Sequence, residues 1–193
     1  MQQLILASGS PRRKELVQLI GVPFTVIKSE AEEEVGSTLP HEIVQELSCK
    51  KAMEVAEGIA EGTILGADTI VWFEGKVLGK PKDREDAAGM LRALQGNAHE
   101  VYTGVTIIVK TGDDLQTDTF SSRTVVHVHS MSEEEIEAYL DTGDPFDKAG
   151  SYGIQGPFAA FVDGIEGDYQ TVVGLPVSEV YRHLHKCGFF QKQ

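Results

Sequence analysis

The sequence predicts a mixed α/β (α+β) fold, a mixed sheet flanked by helices, on three observations. Apolar runs of strand length alternate with segments of helical periodicity. Some of those runs are joined by short hairpin-type turns, which a purely parallel sheet does not contain. The 193 residues, 41% hydrophobic and 24% charged, have the size and composition of a single soluble domain over 1–193, with at most a pronounced lobe. A chain this long buries roughly 70% of its unfolded surface, so its core needs no disulfide or structural metal.

Leu4-Ile5-Leu6-Ala7 is a short apolar run ended by Ser8-Gly9-Ser10-Pro11, a buried strand entering a turn. Ser10 as N-cap and Pro11 at the first helical position start a helix. Leu16, Val17 and Ile20 form its apolar face and Gly21 stops it. Residues 24–27 predict a second strand, and Glu30, Glu32, Glu33 and Glu34 an acidic loop. A helix from about Pro40 to Glu57 carries Val44, Leu47 and Val55 on one face. Residues 63–73 are a strand, with a hairpin turn at Glu74-Gly75-Lys76. Asp83 and Asp86 cap a helix holding Leu91 and Leu94, and 101–109 and 119–128 are strands joined by a turn over 111–114. Ser132 and Glu135 form a capping box that opens a helix to about Leu140. Residues 144–157, with Gly150, Gly153 and Gly156, predict a structured loop. Residues 158–162 and 169–173 predict closing strands, and Pro176 a last helix.

Charge and cysteine usage narrow the function classes. With 17 Lys+Arg against 30 Asp+Glu, the net charge of −13 argues against nucleic acid and anionic membranes as partners, since both need an extended basic face. Cys49 and Cys187 form no metal or redox motif. The basic residues of MQQLILASGSPRRK follow its apolar stretch, the reverse of a secretory signal, and the most apolar segment contains Asp68. A cytoplasmic location is the expectation, and the sequence leaves a homodimer open.

Several residues break local rules. Arg12, Arg13 and Lys14 stand in the first turn of a helix, where cations oppose the macrodipole by about 0.3–1 kcal/mol each. With Ser8, Ser10 and the free N–H groups of the helix start, they make an anion site. Lys51 falls at the helical spacing of Val44, Leu47 and Val55; a snorkelling lysine and one reaching into a charged cleft both fit. Asp68 lies inside the apolar run from Ile64 to Val71, where a carboxylate is costly unless it is paired or bound to metal. Gly79-Lys80-Pro81 fixes a lysine in a constrained turn, and Gln155, near Tyr152 in the glycine-rich loop, can present both donor and acceptor to a heterocycle. His127 and His129 alternate on one strand face without a third metal ligand. No Gly-x-Ser-x-Gly, Walker or GxGxxG motif occurs.

Taken together, SGSPRR (8–13), Lys51-Ala52, GADT (66–69), GKP (79–81), YTGV (102–105), DKAGSYGIQG (147–156) and GLP (174–176) resemble the Maf family of nucleotide pyrophosphatases, also linked by name to septum formation. The resemblance implies a mostly antiparallel twisted sheet with two lobes around a cleft, related to the inosine-triphosphate pyrophosphatase fold. It implies cleavage between the α and β phosphates of a nucleoside triphosphate, with Mg²⁺ or Mn²⁺ as cofactor. On the family pattern Ser8, Arg12, Arg13, Lys51 and Lys80 bind phosphate. Asp68 matches the catalytic proton acceptor and Glu33 the acidic residue after the second strand, while Arg12, Thr69 and Gln155 match positions that choose the base. Hard divalent cations take carboxylate oxygens, so Asp68 and Glu33 are expected to hold the metal. The GIQG form resembles the branch acting on dTTP and UTP. The alternatives are the same chemistry on another base, such as 7-methyl-GTP, and a non-catalytic nucleotide-binding regulator of septum formation.

Overall fold

Leu4–Leu6, buried throughout, open the fold as strand β1 of the computed structural model, in which residues 3–191 are described. Helix α1 spans Pro11–Gln18, where the Ser10 hydroxyl accepts the Arg13 N–H at 3.4 Å and Pro11 occupies the start. Strand β2 (Phe24–Val26), helix α2 (Pro40–Glu57), strands β3 (Glu61–Phe73) and β4 (Lys76–Leu78) and helix α3 (Arg84–Leu94) follow. After them come β5 (Ala98–Thr111), β6 (Asp114–Val128), α4 (Glu133–Asp141), β7 (Val162–Glu166), α5 (Tyr169–Val173) and α6 (Val177–Lys186).

The pairing order is β2-β1-β3-β5-β6-β7, with β4 added to β3, a seven-stranded, mostly antiparallel sheet. Strand β1 runs parallel to β2 and β3, in the registers Leu4↔Phe24 and Leu4↔Thr63. The hairpin partners β3 and β4 and the pair β6 and β7 are antiparallel. The mixed sheet flanked by helices is the one the sequence predicts.

The chain divides into two compact units. The first holds the chain up to Thr69, Thr103–Ser122 and the chain from Gly174. Its core joins Ile5 and Ala7, Ala52, Val55 and Ala56 of α2, Ile64 of β3 and Ile108 of β5. Two glycines set how closely α2 lies on these strands. A Cβ at Gly66 would stand 2.5 Å from the Ser48 carbonyl oxygen, and one at Gly104 only 2.1 Å from that of Val44. Helix and sheet therefore meet backbone to backbone. The buried hydroxyls of Ser48 and Thr106, 2.9 Å apart, join the same two elements.

The second unit holds Ile70–Tyr102 and Arg123–Val173. Its core contains the fully buried Leu91 and Leu94 of α3, Ile136 and Leu140 of α4, and Phe158. The Asp83 carboxylate caps α3 by accepting the Asp86 N–H at 2.9 Å, and Ser132 with Glu135 forms the reciprocal box at α4.

Two expected strands are absent. Pro157–Phe161 is a 3-10 turn: Pro157 has no N–H for a ladder, and the Ala159 N–H bonds the Gly156 carbonyl at 3.0 Å. Tyr169–Val173 is helix α5 because the Asp168 carboxylate accepts both the Thr171 N–H, at 2.7 Å, and the Thr171 hydroxyl, at 2.9 Å. That local cap outweighs the β-branched composition. The closing strand is instead Val162–Glu166. Strands β5 and β6 also start earlier than 101 and 119, because the polar residues there pair through backbone without any apolar alternation to reveal it. No helix among the described residues is long and apolar enough to cross a membrane.

Candidate active site

In the first unit the end of β1 and the start of α1 build a bracket around Arg13. The Ser8 hydroxyl, buried after β1, accepts from the Ser10 N–H and from Arg13 Nη1, each at 3.3 Å. Arg13 Nε donates to the Gly174 carbonyl at 2.9 Å, and Nη2 to Thr69 Oγ1 at 3.1 Å. Thr69 Oγ1 in turn lies 2.8 Å from Thr103 Oγ1. A side chain with five N–H donors in a rigid fork is thus fixed by one near neighbour, Ser8, and by two distant parts of the sequence. Burial lowers the Arg13 pKa from its ordinary value, the Asp68 and Glu33 charges oppose that fall, and neighbouring Arg12 adds to it. The group stays cationic.

Lys51 and Asp68 meet for a reason that can be traced through β3. Successive strand side chains point to opposite faces, so Asp68 shares the face of Gly66, the one against which Ser48 and Ala52 of α2 rest. Lys51, in the same turn of α2, reaches Asp68 Oδ1 at 2.5 Å and Glu33 Oε1 at 2.9 Å. The lysine and aspartate side chains are 15% and 12% exposed, whereas Glu33 is 70% exposed, so one pair is shielded and the other is wet. The next helix residue, Lys50, faces outward to Glu46 and the Glu34 carbonyl. The lysine at the apolar spacing is therefore the one turned toward acid, and Asp68 is a buried carboxylate with an ammonium partner.

Asp68 and Glu33 approach one point, the Lys51 ammonium, with hard oxygen atoms; such a donor pair suits a divalent cation that keeps waters and takes its remaining ligands from a phosphate chain. Among the described residues no group of three or more His, Cys, Asp or Glu converges into a self-sufficient cage. His127 of β6 and His129 just after it instead pair with Glu166 at 2.8 Å and Asp163 at 3.4 Å of β7.

The second unit carries Lys80 and Gln155, both exposed. Their backbones are linked: the Gly150 N–H bonds the Gly79 carbonyl at 3.0 Å, tying the glycine-rich loop to the turn that presents Lys80. Lys148 braces the loop from its start, reaching the Asp144 carbonyl at 2.7 Å and its carboxylate at 3.0 Å. Tyr139 Oη donates to the Asp144 carboxylate at 2.7 Å and accepts the Gly153 N–H at 3.3 Å. Tyr152 and Ile154 are buried, which leaves Gln155 directed outward.

Sequence reasoning gave no role to three participants, although each lies in a motif quoted above. Thr103 and the Gly174 carbonyl hold Thr69 and Arg13, yet a threonine in a strand and a backbone oxygen carry no sequence signal of that role. Gly104 did carry one, a glycine inside a strand pattern.

Burial also holds His99 neutral. Loss of hydration, and secondarily the nearby His127, lower its pKa from the usual 6.5 to about 4. An unfolded chain binds this proton near pH 6.5 and the folded one does not, so stability present above pH 6.5 is lost as pH falls toward 4. The loss is about 3 kcal/mol over that window. Chemical denaturation at pH 7 and pH 4.5 should show a smaller acid loss in His99→Gln than in the wild type; equal slopes would remove His99 from the acid response.

A family model described as Maf-like protein matches residues 3–187. A Bacillus anthracis (strain CDC 684 / NRRL 3495) protein named dTTP/UTP pyrophosphatase is 52% identical over 185 residues, covering 95% of each chain. One of the same name from Bacillus cereus (strain ZK / E33L) is also 52% identical with the same coverage. Among solved structures, the Staphylococcus aureus Ham1 protein aligns with a TM-score of 0.56 at 14% identity, over 96% of this chain and 99% of its own, a likeness of fold. A match over nearly the full length, with relatives of this identity, means that the chain belongs to the Maf family.

Proposed function

We propose that the protein hydrolyses the α–β phosphate bond of dTTP and UTP, releasing the nucleoside monophosphate and pyrophosphate, with residues 1–193 acting as one catalytic domain. The observation that carries this reading is the shielded Asp68 carboxylate on Lys51, in a chain about half identical to proteins named for that activity. Asp68 accepts a proton from the water that attacks the α-phosphorus; the bond from that phosphorus to the bridging oxygen breaks, and pyrophosphate leaves with the oxygen. General-base help of this kind contributes about 10²–10⁴ in rate. Ser8, Arg12, Arg13, Lys51 and Lys80 bind the phosphates, and a substrate with roughly four negative charges needs such cations as charge moves onto the leaving group. Asp68 and Glu33 would hold Mg²⁺ or Mn²⁺, which when bound adds charge neutralisation on the phosphate oxygens. Arg12, Thr69 and Gln155 select the base. Nucleoside triphosphates are held in the cytoplasm, where this reading places the enzyme.

A panel of triphosphates assayed for pyrophosphate tests the reading. Expected is one pyrophosphate per dTTP or UTP consumed, with no orthophosphate. Diphosphate products would overturn the bond assignment, preference for 7-methyl-GTP the base, and binding without turnover the enzyme itself. Gln155→Ala should lower the preference for dTTP over ATP by about tenfold, the scale of one lost base hydrogen bond. An unchanged ranking takes Gln155 out of base selection.

A further inference from the structure

We propose that His99 is a positioning residue for base selection: through Tyr152 it holds the glycine-rich loop that presents Gln155. This rests on the pyrimidine triphosphate reading above. His99 lies on β5 within the second unit, 2% exposed, and its Nε2 stands 2.7 Å from Tyr152 Oη. The two rings meet edge to face at 5.2 Å, and Tyr152 packs on Phe158 at 4.7 Å. His99 Nδ1 is buried and has no hydrogen-bond partner among the described residues. A buried imidazole with one nitrogen unsatisfied is a poor core filler, since an apolar side chain would occupy the space without that penalty. What it supplies instead is one directed bond to the phenol.

That bond lies where the loop backbone needs restraint. Gly150 and Ser151 both have left-handed backbone, at φ 68° and 60°, a conformation that costs a serine energy and lasts only where its surroundings impose it. The restraints are local. The Gly150 N–H is held by the Gly79 carbonyl, the Ser151 hydroxyl by Met90 Sδ at 3.1 Å, and Tyr152 by His99. Gln155 follows three residues later, and Lys80 directly follows Gly79. Freed from His99, the loop relaxes at 150–152 and both exposed side chains lose their fixed placement. Asp68, Lys51 and Arg13 belong to the other unit and keep their own contacts.

Tyr152→Phe removes the bond and keeps the ring. It should lower the preference for dTTP over ATP in kcat/KM about tenfold, chiefly through KM for dTTP, with kcat changed less than threefold. His99→Leu should do the same, and His99→Gln, whose amide reaches the position of Nε2, should stay within about threefold of the wild type. A core role alone lowers thermal stability but leaves selectivity unmoved. Where His99→Leu does not fold, Tyr152→Phe decides. Unchanged selectivity in Tyr152→Phe, or equal damage in His99→Gln and a folded His99→Leu, overturns the proposal. Amide hydrogen exchange without substrate separates it from the functional reading. Tyr152→Phe should speed exchange at the Gly150 and Gly153 amides and spare α2; unaltered exchange there also overturns it. A wild type inactive on dTTP and UTP, with faster loop exchange in the variant, sinks the pyrimidine reading and leaves the His99 restraint standing.

Discussion

Asp68→Asn should reduce pyrophosphate release from dTTP by 10²–10⁴-fold while the protein remains folded and binds nucleotide. The amide has the shape of the carboxylate but takes no proton from water at neutral pH. Lys51 keeps its contact with Glu33 at 2.9 Å, so its ammonium is not stranded. For that reason the stability loss should be about 1–3 kcal/mol, less than the 3–5 kcal/mol of a buried pair losing one partner outright. Thermal unfolding and calorimetric titration with a non-hydrolysable dTTP analogue measure the two retained properties. Activity within tenfold of the wild type would exclude Asp68 as the base.

Gly104→Ala should produce the largest stability loss of any single-methyl substitution in the first unit, at least about 3 kcal/mol, the upper range for overpacking. The added carbon meets the Val44 carbonyl oxygen at 2.1 Å and its carbon at 2.3 Å. Main chain stands on both sides, and no rotamer change relieves the clash. Either the domain unfolds at lower denaturant or α2 moves outward and takes Lys51 from Asp68. Gly89→Ala is the matching control: nothing lies within 4 Å of its Cβ, and the residue sits inside α3. That change should stabilise by about 0.5–1 kcal/mol through helix propensity. Urea unfolding of both variants checks the pair, and a loss below 1 kcal/mol at Gly104 contradicts the backbone contact.

What the sequence made legible was whatever broke a local rule. A carboxylate in an apolar strand and a lysine at apolar helical spacing pointed to Asp68 and Lys51, and each proves to be the partner of the other. Neither anomaly alone revealed the pairing, because partners 17 positions apart are joined only by how α2 lies on β3. Arg13 stood out at a helix start, yet its three holders, Ser8, Thr69 and Gly174, include two that are remote in sequence and ordinary in type. Four glutamates in one loop look alike by composition, and the reach of Lys51 singles out Glu33. The fold was readable where caps and alternation agreed, as at α1, α3 and α4. It was misread at 169–173, where Asp168 turned a strand-like composition into a helix.

The bare seat of α2 on Gly66 and Gly104 bears on how this chain tolerates sequence drift. A lysine held at its distance by bulky neighbours would shift each time one of those neighbours changed volume. Here the spacing is set by main chain touching main chain. Apolar residues around Val55 and Ile108 can be exchanged for others of similar volume while Lys51 still arrives at Asp68. The demand on inheritance is concentrated in two positions that must remain without a side chain.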